Sequence, residues 1–248
     1  MFVPRKNKAI ILLRIINEIH IMIIYNILFT FTHMDSYRHK GLRKKLIKTL
    51  TEKGINNPKV IEAMNHVPRH LFLDKAFEEW AYRDQAFPIG SGQTISQPYT
   101  VAFQTQLLDP QPHEKILEIG TGSGYQAAVL SHLCKKIYSI ERHQELYINT
   151  SELLNRIGYK SIRTLLGDGY KGAPRFAPFD KVIITAGASS IPSPLLQQLK
   201  VGGHLIIPVG ISEDKTMKKI TKIDVDQYEE QSFGIFHFVP FLQGVSQK

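Results

Sequence analysis

The stretch LEIGTGSGYQAAVL, residues 117–130, decides the fold. An apolar run that begins at Lys115 ends in three glycines, Gly120, Gly122 and Gly124, and a helix-like segment follows at once. Such a run bounded by glycines reads as a short buried strand turning into a helix. Glycine lets the backbone bend tightly and approach a ligand where a Cβ would clash. The free amides of the helix N-terminus then face that ligand.

Toward the C-terminus the same alternation repeats. KKIYSIE (135–141) reads as a strand, and HQELYINTSELLNRIG (143–158) as a helix closed by Gly158. IRTLLGD (162–168) and FDKVIITAG (179–187) read as strands, SPLLQQLK (193–200) as a helix and GGHLIIPVG (202–210) as a strand. Two β-rich segments follow, TMKKITKIDVD (216–226) and EQSFGIFHFVPFL (230–242). Apolar strands alternating with helices imply a doubly wound α/β fold, Rossmann-like, with a mostly parallel sheet covered on both faces. Ligands in such folds sit beyond the carboxyl ends of the strands.

Toward the N-terminus, residues 38–52 and 58–66 read as helices separated by the breaker KGINNP. Residues 67–93 are aromatic-rich and irregular, a cover on a larger unit with Trp80 expected in the core. HEK, residues 113–115, reads as a surface turn. The expected organisation is one domain over 34–248, its helical part at 34–110 and its α/β core at 111–248, a size that buries a full core.

Residues 1–33 read differently. Their longest run free of Asp, Glu, Lys, Arg and His is 21–32, short of the ~20 apolar residues of a spanning helix. RKNK resembles a signal-peptide n-region, but no small-residue cleavage site follows. The segment is expected to be a leader or a mis-assigned extension before Met34, so membrane contact is not expected and the location is read as cytoplasmic. A real leader would make the chain membrane-associated or exported.

The net charge of +9 invites a nucleic-acid reading, but its distribution opposes one. The segment before Met34 carries +3 and residues 35–48 carry +5, leaving +1 for the body. YRHKGLRKKLIKTL (37–50) then reads as a solvated amphipathic helix, and no nucleic-acid partner is expected. Cys134, the one cysteine, cannot form an internal disulfide and reads as a small core residue. The ten histidines show no H-E-x-x-H, so no metal site is expected.

The glycine loop narrows the ligand. A dinucleotide fingerprint, G-x-G-x-x-G, would need glycine where Tyr125 stands, and no G-x-x-x-x-G-K-[ST] occurs. Glu118 would repel a pyrophosphate but tolerates a cationic ligand. Glu141, ending the second strand, is placed to take both hydroxyls of a ribose. Asp168, ending the third, can accept from an adenine amino group. Each acid also has a plainer reading: Glu118 pairs with an internal cation, and Glu141 or Asp168 caps a helix or turn. Three acids at successive strand ends favour S-adenosylmethionine, which carries a sulfonium and no phosphate. The candidate cofactor set is Glu118, Gly120, Thr121, Gly122, Gly124, Glu141, Asp168, Gly169 and Thr185.

With these residues stand VPRHLF (67–72), IGSGQTISQPYTVA (89–102), SIER (139–142), GDGYKG (167–172), APFDKVIITA (177–186), IPSPLLQQLKVGGHLIIPVG (191–210) and FVPF (238–241). From about Leu42 to Phe241 the chain resembles the protein-L-isoaspartate O-methyltransferases, with GQTISQP the most specific motif. The resemblance implies methyl transfer from S-adenosylmethionine to the free carboxylate of isoaspartyl residues in ageing proteins and peptides. S-adenosylhomocysteine is then the product, and the ester decays through a succinimide. The leader and the pair Ala188–Ser189, where prolines are frequent, depart from the family pattern.

GQTISQPYT (92–100) carries more hydrogen-bonding side chains than a helix cap needs. The resemblance places the active-site serine at Ser96, as a donor to the substrate carboxylate and not a nucleophile. Its plainer reading is an N-cap, with Pro98 in the first turn of the helix. Thr94, Ile95 and Gln97 are further substrate candidates, and Val239 and Pro240 wall the peptide site by resemblance.

Overall fold

The computed structural model describes residues 35–247 and Ile16, so the expectation for residues 1–33 lies, Ile16 apart, outside the described residues. Two compact units divide at 42/43. In the first, Ser36 Oγ caps the start of helix α1 (Tyr37–Glu52) by accepting from the His39 amide at 3.3 Å. In the second, the rest of α1 buries Leu46 and Leu50 and leaves Lys44, Lys45 and Lys48 exposed, as the charged, amphipathic pattern required. Helix α2 (Pro58–His66) follows, capped by Asn57 Oδ1.

Residues 67–97 are more ordered than their composition suggests. Two 3₁₀ turns, Arg69–Phe72 and Lys75–Trp80, lead to a small antiparallel hairpin of β1 (Phe87–Gly90) and β2 (Gln93–Ile95). Its turn places Ser91 and Gly92 at φ 48° and 66°, the doubly left-handed conformation of a two-residue hairpin. GQTISQPYT is therefore a strand before it is a helix entrance. Trp80 is not in the core: it is 42% exposed under the Arg83 guanidinium.

The main sheet is built as the alternation predicts. After helix α3 (Pro98–Leu108) come β3 (Lys115–Ile119), α4 (Tyr125–Ser131), β4 (Lys136–Glu141), α5 (Gln144–Arg156) and β5 (Ile162–Leu166). Then follow β6 (Phe179–Ile184), α6 (Ser193–Gln197), β7 (Leu199–Val209), β8 (Asp214–Asp224) and β9 (Gln227–His237). The seven strands lie in the order β5-β4-β3-β6-β7-β8-β9. The first five are mutually parallel, and β8 and β9 complete the sheet as an antiparallel meander. α3 packs on β6 and β7, α4 and α5 on β4 and β5, and α6 on β7. Two-sided cover explains why Ile116, Leu117, Val182, Ile183 and Ile184 form unbroken apolar runs at zero exposure.

The chain winds outward from β3 to β5, then returns to lay β6 on the other side of β3. That reversal makes a switch point, and the crevice beyond the carboxyl ends of β3 and β6 is where a ligand belongs. Among the described residues no helix is long and apolar enough to cross a membrane.

Candidate active site

A cleft with about 790 Å³ of open space, mouth included, opens at the switch point. Ile119, Gly120, Thr121 and Gly122 line it from the end of β3, Glu141 from β4 and Thr185 from β6. Gly169 lines it from the loop after β5, and Gln93, Thr94, Ile95 and Ser96 from the hairpin. Val239, Pro240 and Phe241 close the remaining side.

The glycines serve distinct steric needs. Gly120 sits at φ 95°, and a Cβ there would meet Thr185 Oγ1 at 2.5 Å. That hydroxyl donates to the Gly120 carbonyl at 2.7 Å, locking the loop to β6. Gly169 would drive a Cβ to 2.4 Å from Ile119 and 2.9 Å from Phe241. Gly124 does not line the cleft; a Cβ there would strike Thr150 at 2.8 Å and Leu154 at 3.2 Å, so it lets α4 pack on α5.

The three strand-end acids part company. Glu141, 3% exposed, lines the cleft; its Oε2 accepts from the Gly122 amide at 2.8 Å and its Oε1 from the His143 amide at 2.9 Å. It thus clamps the glycine loop to the start of α5, and each oxygen keeps a lone pair for a ligand hydroxyl. Asp168 does not line the cleft; its Oδ1 accepts from the Tyr170 amide at 3.0 Å and caps the turn Gly169–Lys171, the plainer of its two readings.

Glu118 is the third of these acids, on β3. It is fully buried, does not line the cleft, and among the described residues meets no cation. Ser139 Oγ donates to its Oε2 and is itself bonded to Thr121 Oγ1 at 2.7 Å. Burial, with the Glu141 charge nearby, pushes the Glu118 carboxyl up to about 8 despite the Ser139 bond, which favours the ionised form. Glu118 therefore props the glycine loop from beneath, through Ser139 and Thr121.

Ser96 occupies the link between β2 and α3. The helix does not use it as a cap. The N-cap position falls on Gln97, whose side chain makes no capping bond, and the Tyr99 amide is satisfied by Asp84 Oδ1 at 2.8 Å. Asp84 is in turn paired with Lys53 at 2.6 Å. The Ser96 carbonyl accepts from Arg69 at 2.9 Å, while among the described residues its Oγ takes part in no hydrogen bond and is available to an acceptor. Gln97 lines the groove beside the cleft rather than the cleft itself, and its Nε2 donates to the Asp84 carbonyl at 3.1 Å.

A second, open groove borders the cleft, walled by Tyr99, Phe103, Phe236 and Phe238. Thr94, Ser96, Thr185 and Val239 line both spaces. Val239 and Pro240 are held there by backbone bonds of 2.8 Å from the Gly187 amide to the Val239 carbonyl and from the Phe241 amide to the Gly187 carbonyl. The Phe241 ring stacks on Tyr170 at 4.1 Å.

Two contributors escaped sequence reading. Arg69 is among the largest fully buried side chains of the described residues, and Asp84 caps the helix from outside its own sequence neighbourhood. VPRHLF was visible as a motif, but an arginine in an irregular segment reads as exposed. Burial pulls the Arg69 guanidinium down to about 10, so it stays cationic at neutral pH.

A mostly parallel sheet with this switch point, a glycine loop without a phosphate-binding lysine and an acid at the second strand end define a methyltransferase of the Rossmann-like class. The family described as "Protein-L-isoaspartate(D-aspartate) O-methyltransferase (PCMT)" matches residues 41–246. A protein-L-isoaspartate O-methyltransferase of Christiangramia forsetii is 53% identical over 209 residues, covering 84% of this chain and 98% of that protein. One from Salinibacter ruber is 46% identical over 223 residues, 86% of this chain and 96% of its own length. A solved protein-L-isoaspartate O-methyltransferase superposes with TM-score 0.73 at 27% identity, covering 80% of this chain and 65% of that one. A Plasmodium falciparum structure in complex with S-adenosyl-L-homocysteine superposes at 0.71 with 22% identity, covering 81% and 98%, and shares the fold. The chain belongs to the protein-L-isoaspartate (D-aspartate) O-methyltransferase family.

Proposed function

We propose that this chain transfers the methyl group of S-adenosylmethionine to the free carboxylate of L-isoaspartyl residues in damaged proteins and peptides. The observation that carries this reading is the junction of the cleft with the neighbouring groove at Thr94, Ser96, Thr185 and Val239. A small donor fits the first space and a polypeptide acceptor the second, and the two reactants meet only where those residues stand.

The cleft suits the donor. Glu141 offers lone pairs to the ribose hydroxyls, Gly120 and Gly169 line the cleft with bare backbone, and Ile119, Ile140 and Phe241 supply apolar walls. When bound, S-adenosylmethionine supplies an electrophilic methyl that passes to the acceptor oxygen while the carbon–sulfur electron pair stays on sulfur. The acceptor carboxylate, with a pKa near ~4, is already ionised at neutral pH and needs no general base.

The protein's task is then alignment and exclusion of water. Ser96 Oγ donates to one carboxylate oxygen and leaves the other to attack. Val239, which lines both spaces, holds the peptide backbone on the far side, with Pro240 behind it in the cleft wall. Carboxylate and sulfonium neutralise each other as the bond forms, so apolar walls favour the transition state over the separated charges. Positioning of this kind accounts for roughly 7–11 kcal/mol in favourable cases. The resulting ester then decays through a succinimide.

The test is methyl transfer from labelled S-adenosylmethionine to paired peptides that differ only in isoaspartate versus aspartate. Base-labile label on the isoaspartyl peptide alone is expected; label on neither, with donor still bound, would overturn the assigned acceptor.

A further inference from the structure

Arg69 has no place in the chemistry just described, yet its position is costly. The side chain has zero exposure, and the described residues place no carboxylate within ion-pair distance of it, although the Asp84 charge is near enough to favour the cation. Burying an unpaired guanidinium to fill space would be a poor use of a core position, since an apolar side chain fills it without the desolvation penalty. What the guanidinium does instead is gather backbone. Its Nε donates to the Ala81 carbonyl at 2.9 Å, and its Nη2 to the carbonyls of Gln85 at 3.3 Å and Ser96 at 2.9 Å.

Its other partner is the donor loop. The Arg69 Cζ lies 4.8 Å from the centroid of the Tyr125 ring, within cation–π range. Tyr125 opens α4 directly after the glycine loop, lines the donor cleft, and is fixed on another side by Phe72 edge-on at 5.5 Å. The residue that breaks the dinucleotide fingerprint is thus the platform for the arginine. One planar group spans the acceptor-holding serine and the helix that begins the donor site.

We propose that Arg69 is a positioning residue, which fixes the Ser96 backbone against Tyr125 and so aims the Ser96 hydroxyl at the junction of the two spaces. The carbonyl bond to Ser96 sets the peptide plane from which the next residues enter α3. Lysine cannot replace it: one ammonium on a flexible stem does not hold three carbonyls in a fixed fork while lying flat on a ring. The proposal rests on the function above, because it assigns Arg69 a role only through Ser96.

The experiment is a double-mutant cycle on the full chain with the isoaspartyl peptide, using Arg69→Lys, Ser96→Ala and the pair. Arg69→Lys is expected to lower kcat at least about tenfold, with the dissociation constant for S-adenosylhomocysteine changed less than about threefold. The double variant is expected to match Ser96→Ala alone, since a misaimed hydroxyl cannot matter once the hydroxyl is gone. Losses that multiply, an unchanged kcat, or an effect confined to donor affinity would each show that Arg69 acts on the scaffold and not through Ser96. Should Arg69→Lys show no cooperative thermal transition, Arg69→Gln, which keeps a neutral donor, is put through the same cycle with the same criteria. No transfer by the unaltered chain would overturn the functional reading, and this inference with it.

Discussion

Ser96 shows how little a side chain needs when its surroundings are arranged. It caps nothing, yet lines both spaces at their junction. A hydroxyl donating to a carboxylate is worth about 1.5–3 kcal/mol, so Ser96→Ala should lower kcat/KM for the isoaspartyl peptide roughly ten- to hundredfold. Donor affinity, measured by calorimetry with S-adenosylhomocysteine, should stay within about twofold. Glu118 makes a different prediction. Its folded carboxyl holds a proton up to about 8, whereas the unfolded one releases it near ~4.3. The native state therefore binds more protons between those values, and stability falls as pH rises from about 4.3 to 8. Glu118→Gln keeps the neutral shape and should flatten that slope in melting temperatures taken from pH 5 to 9, with the larger gain at the alkaline end. At this scale the sequence was partly legible. It located Glu141 in the cleft, because a strand end fixes where a side chain can point, and it allowed Asp168 its turn cap, but the Ser139 bond of Glu118 joins neighbouring strands and was hidden.

At the scale of elements, the main strands were readable because a sheet covered on both faces demands apolar runs; the inner halves of β6 and β7 obey, and β3 does so save for Glu118. The hairpin of β1 and β2 was not, since seven residues of strand around Ser91 and Gly92 carry no period long enough to detect. The cap of α3 was equally hidden. Asp84 and Tyr99 are joined only by the fold, and local sequence offered Ser96 as the nearer candidate. Asp84→Ala should therefore cost about 2 kcal/mol, combining the lost cap with the broken Lys53 pair. A lowered urea midpoint at unchanged slope would measure it; a midpoint equal to that of the unaltered chain would mean that α3 finds another cap.

At the scale of the whole molecule, the donor cleft is assembled from residues 93 to 242, far apart in the chain. The switch point explains the core of that assembly, but the closing wall belongs to the segment after β9, which returns to Gly187 through paired backbone bonds. A chain ended after His237 keeps every strand and loses Val239, Pro240 and Phe241. It should fold cooperatively yet bind S-adenosylhomocysteine at least about tenfold more weakly, the equivalent of exposing one aromatic wall. The same geometry has a consequence for biosynthesis. Gly120, Glu141 and Thr185 leave the ribosome well before Phe241, so the sheet can set while one side of the cleft is still missing. Donor capture is then among the last competences the growing chain acquires, and an arrested or clipped product is shaped like the enzyme without being charged with methyl.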